Sequence, residues 1–92
     1  MPVSIYGRIG ATLGIRSLQS DQDAARLVEK RLSTSVLKSL VQHGLDESEV
    51  YELVIPRRTL SHRKARRERL TRDESDRAMR VGRIVALAGE VF

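Results

Sequence analysis

Small polar residues that cap helices divide the chain, from residue 20 onward, into short segments whose aliphatic residues recur every three or four positions. Ser20 precedes the first segment, Ser33 precedes the second, and Gly44 follows the second. A side-chain oxygen at a helix start satisfies free backbone N–H groups, and a glycine after the last turn adopts the left-handed conformation that ends many helices. This pattern predicts a bundle of short helices.

The composition gives such a bundle an aliphatic core. The chain has 92 residues, of which 40% are hydrophobic and 3% aromatic, and it has no cysteine. That length allows one domain, and the lack of cysteine excludes disulfides, thiolate metal sites and a cysteine nucleophile. No apolar run approaches the roughly 20 residues of a membrane span. We therefore expect a protein of the cytoplasm that does not bind membranes.

The first nineteen residues differ from the rest of the chain. They hold three of the six glycines and show no sustained periodicity. We therefore expect a loosely ordered arm over residues 1–19, or a short strand around Val3–Tyr6. Residues 20–92 are expected to form one all-α domain, a small five-helix bundle. The last helix is predicted to bury one apolar side, made of Val81, Ile84, Val85, Ala88, Val91 and Phe92.

Positive charge is concentrated in one window of the sequence. Residues 1–55 carry six basic and seven acidic side chains, whereas residues 56–83 carry eleven basic and four acidic ones. Ten of those eleven are arginine, whose planar guanidinium suits phosphate and guanine. The window is therefore a candidate polyanion site, and a solvated helical face with internal ion pairs is the alternative.

Two short helices meet where the basic window begins. The supporting helix is predicted at about Asp46–Leu53, the turn at Val54-Ile55, and the basic helix at about Pro56–Arg67. Two helices joined by a tight turn, with the second strongly basic, are typical of a helix-turn-helix. The turn lacks the glycine that many such motifs contain, so ordinary packing of two bundle helices is the alternative.

The basic helix supplies the candidate DNA contacts, because a recognition helix presents its N-terminal residues to base edges in the major groove. Either of the two leading arginines can reach guanine O6 and N7. Base contacts are predicted for Arg57, Arg58, Ser61 and His62. Phosphate contacts, which add affinity without sequence information, are predicted for Thr59, Lys64, Arg66 and Arg67.

The residues that follow the basic helix have a structural explanation. A capping box and two ion pairs at i,i+4 spacing are predicted, namely Thr71 with Glu74, Asp73 with Arg77, and Asp76 with Arg80. Arg63 has two open roles, contact with DNA or a bridge to Glu74 or Asp76. This acidic cluster therefore needs no catalytic or metal-binding role.

The sequence contains no enzyme motif. His43 and His62 have no cysteine or carboxylate at metal-ligand spacing, and no glycine-rich phosphate loop is present. Ser61 and His62 are adjacent on a helix, so they cannot face one another as nucleophile and base. We therefore predict no catalytic residues, no cofactor and no metal.

The stretch Leu53–Phe92, nearly half of the chain, carries a family pattern in one unbroken register. Its elements are Arg58-Thr59-Leu60, Arg63, Leu70, Glu74-Ser75-Asp76-Arg77, Arg80, Arg83, Ala88 and Val91-Phe92. This pattern resembles the Xre/MbcA/ParS family of antitoxins from type II toxin–antitoxin systems. The residues before it are similar only in their helical layout.

The resemblance implies a helix-turn-helix that binds and represses the promoter of its own operon. It also implies a partner, a RES-type toxin that consumes NAD, neutralised by a C-terminal domain that follows Val91-Phe92 in the family and is absent from these 92 residues. Helix-turn-helix proteins bind palindromic half-sites as dimers, so we expect a homodimer, or a dimer completed by the toxin. The competing hypothesis is a protein-interaction or oligomerisation module with an incidental basic face, which the apolar last nine residues favour.

Overall fold

Six helices make up the part of the chain that the computed structural model describes, which is the backbone of residues 4–91 and the side chains of residues 4–88. They are α1 Ile5–Leu13, α2 Asp21–Lys30, α3 Ser35–Gln42, α4 Glu47–Leu53, α5 Arg57–Ala65 and α6 Arg72–Val91. Within those residues there is no strand. The prediction of an all-α fold is confirmed, and the prediction of five helices is wrong by one.

The additional helix, α1, lies where the sequence predicts a loosely ordered arm. Ser4 begins it, since its Oγ accepts a hydrogen bond from the N–H of Gly7 at 3.2 Å. Gly14 ends it in the left-handed conformation, with φ of 73°, so this glycine terminates a helix instead of marking a flexible loop. Ile9 and Leu13 are buried in the core. The expectation of an arm is therefore wrong.

The alternative of a strand at the N-terminus fares no better. Tyr6 lies in the first turn of α1 and not in a strand. Val3, the other end of the predicted strand, lies outside the described residues.

The long helix α6 is the central element of the bundle, because α1, α2, α3 and α4 all pack against it. Its approach to α1 is closest at Gly82, where an added Cβ would lie 2.8 Å from Cγ of Leu13. That distance is well inside van der Waals contact, so a side chain at this position would force the buried Leu13 to shift.

The buried side of α6 agrees only in part with the predicted side, since Val81 is buried and Val85 packs half-buried against the core as expected. Its buried apolar residues are Ala78, Val81 and Ala86. Ile84 is 66% exposed and Ala88 is exposed as well, so the predicted face is wrong at these two residues. The cause is α1, which covers the side of α6 that carries Gly82. The side chains of Val91 and Phe92 lie outside the described part of the chain.

The rest of the core is aliphatic and comes from α3, α4, α5 and the connections between helices. Its buried members are Leu18, Leu32, Val36, Leu37, Leu40, Val50, Val54, Ile55, Leu60 and Leu70. Helix α3 begins at Ser35 with Thr34 in the capping position, one residue later than the predicted Ser33. Among the described residues, none of the helices combines the length and the apolar character that a bilayer span requires.

Candidate nucleic-acid interface

Helices α4 and α5 form the two arms of a helix-turn-helix, with three residues between them. Val54 and Ile55 in that connection are 2% and 1% exposed, so the turn is fixed in the core. Pro56 is the N-cap residue of α5, with φ of −58° and ψ of 146°. It therefore precedes the first helical turn, whereas the sequence predicted it as the first residue of the helix. The helix ends at Ala65, two residues before the predicted Arg67, which has a positive φ of 56°.

The inward side of α5 is held by one apolar and one charged residue. Leu60 is 7% exposed and belongs to the core. Arg63 donates from Nε and Nη2 to the two carboxylate oxygens of Glu74, at 3.2 Å each. It also donates to Oε2 of Glu68 at 3.3 Å. Of the two roles left open for Arg63, the geometry favours the bridge to Glu74.

The ion pair between α5 and α6 changes the titration of its acid. Burial acts to raise the pKa of Glu74, but hydrogen bonds from Arg63 and from the backbone N–H of Thr71 outweigh it, so the pKa is lowered. The hydrogen bond to Glu74 likewise raises the pKa of Arg63. Both groups are therefore charged near neutral pH, and α5 is locked to α6 through a partly buried bidentate pair.

The outward side of α5 carries the four residues predicted to contact bases. Arg57, Arg58, Ser61 and His62 are all exposed. Among the described residues, neither arginine has a salt bridge or a side-chain hydrogen bond, and Ser61 donates only to the backbone oxygen of Arg57 at 3.2 Å. These side chains lie along about one and a half turns of helix, and the major groove of DNA is wide enough to admit an α-helix.

The four predicted phosphate contacts lie on α5 and just beyond its C-terminal end. Lys64 and Arg67 are exposed, with no acidic partner among the residues described. Arg66 lies 3.9 Å from a carboxylate oxygen of Glu68, and its side chain is 72% exposed. Thr59 is only half-buried. The structure thus leaves two fully available cations and one weakly paired cation around the end of the helix.

The start of α6 has the predicted capping box and one of the two predicted ion pairs. Thr71 N–H donates to Glu74 Oε1 at 2.7 Å, and Glu74 N–H donates to Thr71 Oγ1 at 3.1 Å. Asp76 pairs with Arg80 at 3.1 Å on the surface.

The predicted pair between Asp73 and Arg77 is wrong. Arg77 instead donates from Nε to the backbone oxygen of Val54 at 2.9 Å. The end of α4 lies within reach of α6 in the folded bundle, and the last carbonyls of a helix lack partners within it. The carbonyl of the buried Val54 therefore binds the guanidinium of Arg77, while Asp73 remains exposed.

Two comparisons with known proteins agree with this geometry. A family model described as the antitoxin Xre-like helix-turn-helix domain matches residues 23–83. Over 85 residues the chain is 35% identical to Antitoxin Xre of Pseudomonas putida, an alignment that covers 92% of this chain and 54% of that protein. The chain belongs to the Xre-like helix-turn-helix antitoxin family. The family inferred from the sequence alone is thereby confirmed.

The family match covers α2 to the middle of α6, so it includes the whole α4–α5 motif of this Xre-like domain, and α1 precedes it. The chain spans about half the length of the curated relative that it matches. Among the described residues, no group of three or more histidine, cysteine, aspartate or glutamate side chains could hold a metal ion.

Sequence reasoning missed one polar residue of the Xre-like domain, Ser75. Its side chain is fully buried, and its Oγ accepts a hydrogen bond at 2.8 Å from the N–H of Leu32, which connects α2 to α3. The only signal in the sequence is a serine inside a helix between charged residues. Because its partner lies 43 residues away in the chain, no local pattern identifies it.

Proposed function

We propose that this chain is the DNA-binding part of an antitoxin in a type II toxin–antitoxin system. It binds double-stranded DNA at the promoter of its own operon in a sequence-specific manner, and it acts in the cytoplasm. Arg57, Arg58, Ser61 and His62 contact bases, and Thr59, Lys64, Arg66 and Arg67 contact phosphates. The partner protein is a RES-type toxin that consumes NAD, and the DNA-bound form is a homodimer or a dimer completed by the toxin.

One observation carries the DNA-binding proposal. Arg57 and Arg58 at the start of α5 are exposed and have no salt bridge or side-chain hydrogen bond to another described residue, whereas Arg63 on the inward side of the same helix is bound by Glu74. Free guanidinium groups at the start of a recognition helix are the donors that read guanine in the major groove. The basic residues at the helix end then provide the attraction to phosphate that all sequences share.

A shift assay with the DNA upstream of its own gene tests this function. We expect a specific complex that survives an excess of a scrambled duplex of equal length and composition, and whose affinity falls as salt is raised. Equal affinity for the two duplexes at every salt concentration would contradict sequence-specific binding. Arg80→Ala is the matched control for alanine variants of Arg57 and Arg58. It removes an arginine whose surface partner is Asp76, so it reports the effect of losing one positive charge outside α5.

A second candidate function is protein interaction through α6. Ile84 is 66% exposed and Leu87 is 45% exposed, and exposed large apolar side chains near one another on a helix favour a protein interface. Light scattering after size-exclusion chromatography tests it. A dimer that becomes a monomer in Ile84→Asp supports this function, and a strict monomer at high micromolar concentration contradicts it.

A further inference from the structure

One turn of α6 contacts three different elements of the domain. Glu74 binds Arg63 of α5, Ser75 accepts from the backbone of Leu32 before α3, and Arg77 donates to the backbone of Val54 after α4. Every buried side-chain nitrogen or oxygen among the described residues has a hydrogen-bond partner. This turn is therefore a junction between the recognition helix, the supporting helix and the rest of the bundle.

The contact of Arg77 falls at the point where the helix-turn-helix changes direction. Helix α4 ends at Leu53, and α5 begins four residues later at Arg57. Within the turn, the N–H groups of Val54 and Ile55 both donate to the oxygen of Val50, at 3.0 and 3.2 Å. The oxygen of Val54 accepts a hydrogen bond from Nε of Arg77 at 2.9 Å.

We propose that Arg77 is a positioning residue for DNA recognition. By binding the Val54 carbonyl it fixes the turn, and together with the Glu74–Arg63 pair it sets the orientation of α5 and of the exposed Arg57 and Arg58 at its start. The proposal rests on the proposed DNA-binding function. Base contacts require side chains to be held within about 0.5 Å and 10–20° of the geometry that binds the base. Contacts to phosphates, by contrast, carry no sequence information. Loss of Arg77 therefore reduces discrimination between sequences more than it reduces affinity for DNA in general.

The burial of neighbouring side chains separates this role from a requirement for folding. Ile55 and Leu60 are 1% and 7% exposed and belong to the aliphatic core, so apolar packing holds the turn and α5 in addition to the contact of Arg77. The variant Arg77→Met keeps most of the length of the side chain and removes its donors. We expect it to fold and to retain α5, with the turn less well fixed.

Fluorescence anisotropy with two labelled duplexes tests the proposal. One is the DNA upstream of the gene, and the other is a scrambled duplex of equal length and composition. For Arg77→Met we expect the ratio of the two affinities to fall about tenfold, the size of one lost bidentate base contact. Affinity for the scrambled duplex and the salt dependence should not change. The matched control is Arg80→Met, three residues further along α6, whose partner Asp76 lies on the surface. It should leave the ratio unchanged.

Two outcomes would overturn the positioning role. An unchanged ratio in Arg77→Met would show that the turn does not need this contact. An equal loss of affinity for both duplexes, with the salt slope reduced by about one unit, would show that Arg77 binds a phosphate directly. Arg77→Lys can still donate to the Val54 oxygen, so we expect it to restore part of the ratio. If Arg77→Met does not fold, Arg77→Lys and Arg77→Gln are compared instead. The positioning role then requires the ratio of the two affinities in Arg77→Lys to lie between the ratios in the wild type and in Arg77→Gln.

A measurement without DNA distinguishes failure of this proposal from failure of the proposed function. If the wild type does not discriminate between the duplexes, the proposed function fails. Amide chemical shifts and hydrogen exchange still test the positioning role. In Arg77→Met we expect shift changes and faster exchange from Val54 to Leu60, with α1 unaffected. Unchanged shifts in that segment would contradict it.

Discussion

The outward side of α5 and the first two turns of α6 both carry arginines, but these arginines have opposite surroundings. Arg57 and Arg58 stand exposed, with no ion pair among the described residues. Arg77 on α6 is bound to a backbone oxygen, and Glu74 is 5% exposed and holds Arg63. Charge in the sequence therefore locates a basic region, whereas the partners of each arginine decide whether it is available to DNA or stabilises the fold.

Loss of the acid at the junction is expected to have the largest effect. Glu74→Gln removes the charge that binds Arg63 and leaves that guanidinium with only the longer contact to Glu68, so we expect the free energy of unfolding to fall by about 2–3 kcal/mol. The melting temperature should fall by about 10–20 °C. Calorimetry measures both. The control Asp76→Asn removes a surface pair with Arg80 and should cost less than about 1 kcal/mol. Equal losses of unfolding free energy in Glu74→Gln and Asp76→Asn would contradict a special role of the buried pair in stability.

The pH dependence of stability sharpens the same point. The pKa of Glu74 is lowered in the folded protein, because bonds from Arg63 and Thr71 outweigh the effect of burial. A lowered pKa stabilises the fold above the unfolded value of about 4.3, and that stabilisation is lost as pH falls through the folded value. The stability difference between the wild type and Glu74→Gln should be constant from neutral pH to about pH 5 and shrink in acid. A stability difference that grows below pH 4 would mean that folding raises the pKa of Glu74 instead of lowering it.

The exposed arginines are expected to show their effect in DNA binding and not in stability. Replacing Arg57 or Arg58 with alanine should weaken binding to the upstream DNA by about 1–3 kcal/mol and relax base preference. The melting temperature should stay near that of the wild type, because neither side chain has an ion pair or a side-chain hydrogen bond within the described part of the chain. Anisotropy titrations and thermal unfolding check the two halves of this prediction. A large loss of stability in either variant would show that the arginine stabilises the fold, as Glu74 does.

The smallest expected effect belongs to the cations beyond the end of α5. Arg67→Ala should weaken binding to all sequences alike and reduce the slope of log affinity against log salt by about 0.9 for one phosphate contact. Titrations at four salt concentrations on both duplexes measure this slope. An effect confined to the upstream DNA would instead assign Arg67 to base recognition.

The helix-turn-helix was predictable because its signals are local. Cap residues, Pro56 and the charge window all lie within the segment that they describe, so α4 and α5 differ from their predicted bounds by only one or two residues. Helix α1 could also have been found. Ile5, Ile9 and Leu13 recur every four positions, but the glycines between them indicated a loop.

The partners across the bundle were not predictable from local patterns. Arg77 binds an oxygen 23 residues away and Ser75 binds an N–H 43 residues away. Spacing along a helix offered Asp73 as the partner of Arg77, but the folded bundle brings a buried carbonyl within its reach. The exposed side of α6 at Ile84 was missed for the same reason, because α1 determines which face is covered.

A single NMR titration tests most directly whether the exposed arginines meet DNA while the paired ones hold the fold. The isotope-labelled chain is titrated with the duplex from upstream of its gene, and the shifts of every amide and arginine side chain are followed. We predict the largest changes at Arg57, Arg58, Ser61 and His62, smaller changes from Lys64 to Arg67, and none in α1. Changes centred on α1 or on Ile84, with α5 unaffected, would contradict the assignment of α5 as the recognition helix.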